Sequence, residues 1–273
     1  MTQKVDIGDP KPLSTGFWRL LFQENEGAQP ADPLHCDAPQ LRSAEIAAVY
    51  TGQRVAGDFY EFLRVGPSRM LFVLLDAAGS RADTREVLVA LQKKFRTLSP
   101  ILFAGDGFNE VTAMIELCHE MNRTILQGSV RSCPAFMGCY NEDFATVCYA
   151  NSGHTPGLFR DRGGVTLLEA TGLPLGLFSH APQNASICHL LPGSALLVIS
   201  RGIIEAECEC DDGDAVEFGL DRAKQILQDA TVRGPRDLCL TILQATRQFT
   251  RTAQTHNDLT ALALVRHASN GAV

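Results

Sequence analysis

Carboxylates stand where apolar runs stop. Asp58 and Glu61 flank Phe59-Tyr60 just after Gly57, the run MLFVLLD ends on Asp76 ahead of Ala77, and Asp258 follows Asn257 immediately before LTALALV. A core strand that stops at Asp leaves its oxygens at the rim of a packed sheet. Several such oxygens converging on one rim suit a hard divalent cation such as Mg²⁺ or Mn²⁺. Any one of them is equally a turn residue, so only the set carries weight. One further run breaks the pattern. Residues 196–206, LLVISRGIIEA, leave the core at Ser200 and put Arg201 in the turn, with Gly202 and Glu205 close behind. A guanidinium has no lone pair to give a metal and keeps its proton, yet it pairs readily with carboxylates.

The elements that must carry these residues follow from periodicity. SAEIAAVYTG and VAGDFYEFLRV read as β-rich, and SRMLFVLLDAAG as a strand ending at Asp76 and a glycine turn. EVLVALQKKFRTL has apolar residues at 87, 88, 91, 95 and 98, the spacing of a helix over 84–98. A second helix over 109–126 is capped by Asn109. CPAFMGCY and DFATVCYAN form a hairpin about Asn141-Glu142, followed by the short strands PGLFR, VTLLE, ASICHL and SALLVIS. Residues 219–230 and 235–250 read as helices, the second opened by Gly234-Pro235, and the strand LTALALVRH follows. Strands in succession rather than in alternation with helices make the class α+β, with two mainly antiparallel sheets flanked by helix pairs.

Composition narrows the function. The 273 residues carry a net charge of −7 with acid and base mixed and 7% aromatics, which disfavours nucleic acid as a partner. No apolar run reaches the roughly 18 residues of a membrane span, and MTQKVDIGDPKP lacks the apolar core of a secretory signal. Nine cysteines scattered through apolar segments suit reduced thiols and a cytoplasmic location. Cys208-Glu209-Cys210 has no second pair at zinc-site spacing, so it reads as a loop with unliganded thiols. The acidic loop Glu205–Asp214 reads as a solvated run. Residues 1–41 form an N-terminal extension whose apolar patch FWRLLF, at 17–22, would dock on the body or on a partner. Residues 42–268 are the expected domain, and 269–273 a tail.

AGDFYEF, LLDAAG, ANSGHTP, GLPLGL, SRGIIEA and NDLTALALV occur in an order and spacing that resemble the SpoIIE/RsbU branch of the PPM (PP2C-like) protein serine/threonine phosphatases. The resemblance covers about residues 42–267. It implies a PPM-type αββα sandwich, a two-metal Mn²⁺ or Mg²⁺ centre that activates water, and phosphoprotein partners akin to anti-sigma-factor antagonists. It also implies roles residue by residue. Asp58 falls on the aspartate of the first motif, Asp76 on the metal-bridging aspartate, and the Ala77 carbonyl on a backbone ligand. Gly57, His154 and Gly202 fall on motif positions as well; His154, in a segment similar to NAGH, reads as a hydrogen-bonded residue of a buried turn. Glu61 replaces the first motif's second aspartate, and Glu61 and Asp258 are further candidate ligands.

Two metal-ligand positions depart from the family. Arg201 stands where the family has the aspartate of Asp-Gly, and Asn257 where it has the first of two aspartates. A dication ~4 Å from a fixed guanidinium, at an effective dielectric of ~20, is repelled on a scale of about 8 kcal/mol. One neutral amide ligand does not recover that. The expectation is at most one bound metal, or none, with Arg201 in the vacated place and its fork bridging Asp76 and Asp58. The chain is then a pseudophosphatase or very weak phosphatase, a signalling module that binds a protein partner, with homodimerisation through the extension. The alternative is an active metal-dependent phosphatase acting on an antagonist-like partner.

Overall fold

A computed structural model describes residues 37–52, 57–77, 79, 81–103, 108–128, 130–209, 215–250 and 257–268. FWRLLF, the extension up to residue 36, Cys210 and the tail lie outside the described residues. Two five-stranded sheets pack face to face. The first has the order β1 (Ala44–Thr51), β12 (Leu259–Arg266), β9 (Ala195–Ile199), β6 (Gly157–Asp161), β7 (Gly164–Leu168). The second runs β2 (Gly57–Val65), β3 (Arg69–Ala77), β4 (Ala135–Asn141), β5 (Thr146–Ser152), β8 (Ser186–His189). Every ladder is antiparallel, as expected of strands that follow one another in the chain.

Helices α1 (Arg81–Leu102) and α2 (Glu110–Leu126) cover the outer face of the second sheet; α4 (Gly219–Asp229) and α5 (Pro235–Thr250) cover that of the first. Each sheet therefore has two buried faces, which is why MLFVLLD lacks polar alternation: Met70 through Leu75 are all fully buried. Even-numbered residues Met70, Phe72 and Leu74 join Phe62, Phe136, Leu196 and Leu262 in the layer between the sheets. Odd-numbered Leu71, Val73 and Leu75 pack under α1 and α2 against Leu91, Phe95 and Met114. Phe72 lies over Gly138, its register partner on β4, where a Cβ would stand 2.2 Å from the ring.

Local signals account for several joints. Asn109 caps α2 by accepting from the Thr112 amide at 3.1 Å. The β4–β5 hairpin turns on Asn141, whose Oδ1 accepts from the amides of Asp143 and Phe144. The next residue, buried Glu142, accepts from Arg64 at 2.7 Å and from the Arg42 amide at 2.6 Å. Two details differ from the sequence reading. Arg201–Ile204 forms one helical turn, α3, rather than an open turn. Part of the acidic loop is ordered as a two-stranded ribbon, β10 (Glu207–Glu209) with β11 (Ala215–Glu217). No described helix is long and apolar enough to cross a membrane.

Candidate functional site

The start of β2 and the end of β3 set the two carboxylates at one rim. Register places Asp58 directly opposite Asp76, and Gly57 opposite Ala77. Both aspartates share the parity of Phe62 and Phe72, so they point between the sheets. Gly57 is required there: a Cβ would stand 2.4 Å from the Ala77 carbonyl oxygen. From the opposite sheet, the end of β9 and the start of β12 supply the rest. Ser200 and Thr260 hold each other, the Ser200 amide donating to the Thr260 carbonyl at 2.8 Å and the Thr260 amide to Ser200 Oγ at 3.0 Å. That pairing brings Gly202, next to Arg201 in the chain, against Asn257 and Asp258. A Cβ on Gly202 would meet the Asp258 carbonyl at 2.2 Å and Asn257 Cβ at 3.0 Å.

Arg201 Nε lies 3.6 Å from Asp76 Oδ2 and 3.6 Å from Glu205 Oε1. These are ion pairs without hydrogen-bond contact. The expected fork across Asp76 and Asp58 is not formed: Asp58 Oδ2 instead accepts from Thr260 Oγ1 at 2.6 Å. Asp258 is buried, with Oδ1 over Gly52, where a Cβ would come within 2.3 Å of it. Burial pushes the Asp58 carboxyl up to about 7, the Asp76 charge adds to this, the Thr260 and Ser200 hydroxyls pull it down, and Asp258 raises it again. Asp76 is also raised by burial, against the opposing pull of Arg201. The Cys133 thiol is pushed up chiefly by burial and then by the charges of both aspartates.

The rim thus gathers Asp58, Asp76, Ala77, Asp258, Arg201, Gly202 and Asn257. It does not include Glu61. A separation of three residues along a strand reverses the face, so Glu61 points beneath α1, where it accepts from Gln92 at 2.8 Å and Arg96 at 3.0 Å. His154 is buried in the turn after β5. Asn151 Oδ1 accepts from its amide at 2.8 Å, and its Nδ1 lies 3.0 Å from Thr155 Oγ1, which in turn donates to the Ile199 carbonyl. Burial holds the imidazole down to about 4, so it is neutral near pH 7. The sequence does not point to Ser200 and Thr260 as site residues; their one signal there is proximity to Arg201 and Asn257.

For a metal, Asp58, Asp76 and the Ala77 carbonyl offer hard oxygens on one sheet. The facing edge of the other sheet, beside β9 and β12, offers a guanidinium, an exposed asparagine and the buried Asp258. Among the described residues, no three His, Cys, Asp or Glu side chains stand close enough together to hold a metal ion. The donor set does not fit a two-metal centre.

Residues 66–267 match the family described as Stage II sporulation protein E (SpoIIE). The chain is 24% identical over 183 residues to the phosphoserine phosphatase RsbP of Bacillus subtilis, covering 66% of this chain and 43% of that protein. It is 24% identical over 239 residues to the phosphoserine phosphatase RsbU of the same organism, covering 85% of this chain and 66% of that one. The chain thus spans less than two thirds of either relative. Among solved structures, the PP2C phosphatase domain with a regulatory fragment of SpoIIE from Bacillus subtilis superposes with a TM-score of 0.63 at 18% identity, covering 82% of this chain and 63% of that one.

Proposed function

Because the chain belongs to the SpoIIE family of PPM-type (PP2C-like) phosphatases, we propose that it is a member whose hydrolytic chemistry is lost or vestigial, a signalling module that binds a protein partner without efficient turnover. One observation carries this reading: Arg201 Nε stands 3.6 Å from Asp76 Oδ2, on the side of the rim that a second metal would need. Two metals neutralise the phosphoryl group and generate the nucleophile; the Arg201 and Asn257 side supplies ligands for neither job. The proposed partner is a phosphoprotein or antagonist-like regulator. The phosphatase-like domain is proposed to span 42–268, in a cytoplasmic protein. At most one Mn²⁺ or Mg²⁺ is proposed, with Asp58, Asp76, the Ala77 carbonyl and Asp258 as its candidate ligands, and the reading requires none.

The test is Mn²⁺-dependent hydrolysis of p-nitrophenyl phosphate, with a phosphorylated partner candidate followed over time in parallel. The expected result is retention of the partner with hydrolysis at background. Robust turnover abolished by Asp76→Ala would establish the active-phosphatase alternative instead.

A further inference from the structure

Side chains, as well as the apolar layer, join the two sheets at the rim. Arg201, following β9 in the first sheet, faces Asp76 of β3 in the second. Thr260 of β12 donates to Asp58 of β2 at 2.6 Å. Glu205, one helical turn beyond Arg201, lies 3.6 Å from the same Nε. We propose that Arg201, steadied by Glu205, is a built-in counter-ion that clasps the two sheets at this rim, in the absence of any requirement for a bound cation. The proposal rests on the functional reading above only for what the position once held.

The charge inventory supports it. Asp58 and Asp76 are direct cross-strand partners at this rim. Like charges directly opposite on a sheet destabilise it. A guanidinium is a permanent cation and supplies the compensation without any ligand. Its side chain is 56% exposed whereas that of Asp76 is 11% exposed, so the bare attraction is screened and modest. Deleting Arg201 costs more than that attraction because it leaves poorly hydrated carboxylates facing each other. Glu205 acts through Arg201 and is a positioning residue.

The clasp therefore has a signature of sign as well as size. We specify thermal unfolding of the full chain in EDTA for wild type, Arg201→Ala, Asp76→Asn and the double variant, with Glu205→Gln beside them. Arg201→Ala is expected to lower the Tm by about 2 to 4 °C. Adding Asp76→Asn to it should raise the Tm again, whereas Asp76→Asn alone should not raise it. Glu205→Gln should give a smaller loss, absent when Arg201 is already Ala. The wild-type Tm should be the same in EDTA and in excess Mn²⁺. Additive effects, or a wild-type Tm that climbs several degrees with Mn²⁺ and loses the climb in Asp76→Asn, would overturn the proposal. Should Arg201→Ala fail to fold, Arg201→Lys serves in its place: it keeps the charge, loses Nε, and should lie between wild type and the double variant. No substrate enters any arm, so turnover by the protein would overturn the functional reading while the cycle still decides the clasp.

Discussion

At the rim of the sandwich, the β2–β3 side and the β9–β12 side face each other with opposite chemistry. The first keeps Asp58 and Asp76 in register, pointing inward, with the Ala77 carbonyl beside Gly57. The second keeps the backbone of its half, with Ser200 and Thr260 in ladder contact and Gly202 seated on Asp258, but carries Arg201 and Asn257 at its two tips. The frame of the site and its ligands are thus separable. A side chain at a strand tip can change sign without disturbing the ladder that presents it, provided a carboxylate stands ready to receive the new charge.

The sharpest way to break this comparison is to make the two sides alike. Arg201→Asp with Asn257→Asp is expected to bind Mn²⁺ at the position beside Asp76 with a Kd below about 1 mM, roughly 4 kcal/mol. Titration followed by the loss of the free Mn²⁺ electron-spin signal measures it, and no binding would mean that more than these two side chains separates the β9–β12 side from a metal site. The next largest effect tests whether the turn beside β9 is intact. His154 has a folded pKa of about 4, below its usual 6.5. Its contribution to stability is therefore fully present above pH 6.5 and is lost as pH falls through 4, a change on the order of 3 kcal/mol. His154→Phe should flatten that segment of a denaturation-versus-pH curve. The smallest effect compares the glycines of the two sides. Gly57→Ala and Gly202→Ala each press a methyl against a backbone carbonyl, at 2.4 and 2.2 Å, and should each cost about 2 kcal/mol in urea unfolding. Equal losses support equally tight frames; a silent Gly202→Ala would show that the β9 side has loosened.

Much of this architecture could be read from the chain. Gly219–Asp229 and Pro235–Thr250 coincide with the apolar periodicity and its Gly-Pro punctuation, because local signals and burial agree there. The Asn141 hairpin was legible for the same reason: one side chain satisfies two turn amides. The ribbon Glu207–Glu209 with Ala215–Glu217 was not, since an acidic run gives no apolar pattern and its strands are exposed or edge-like. At the site, the motif positions placed Asp58 and Asp76 but could not give facing. Glu61 shares a motif with Asp58, yet strand parity sends it under α1 to Gln92 and Arg96. The fork expected across Asp58 and Asp76 failed on a tertiary detail, the Thr260 hydroxyl that already occupies Asp58 from the opposite sheet.

The two glycine contacts have a further consequence. Gly57 rests on the Ala77 backbone and Gly202 on that of Asp258, so main chain touches main chain on both sides of the rim. The spacing within each side is then set by peptide groups, whatever ion or side chain stands at the rim. A rim built in this way tolerates drift in its side chains: they can be exchanged one at a time while the two backbones that carry them keep their places.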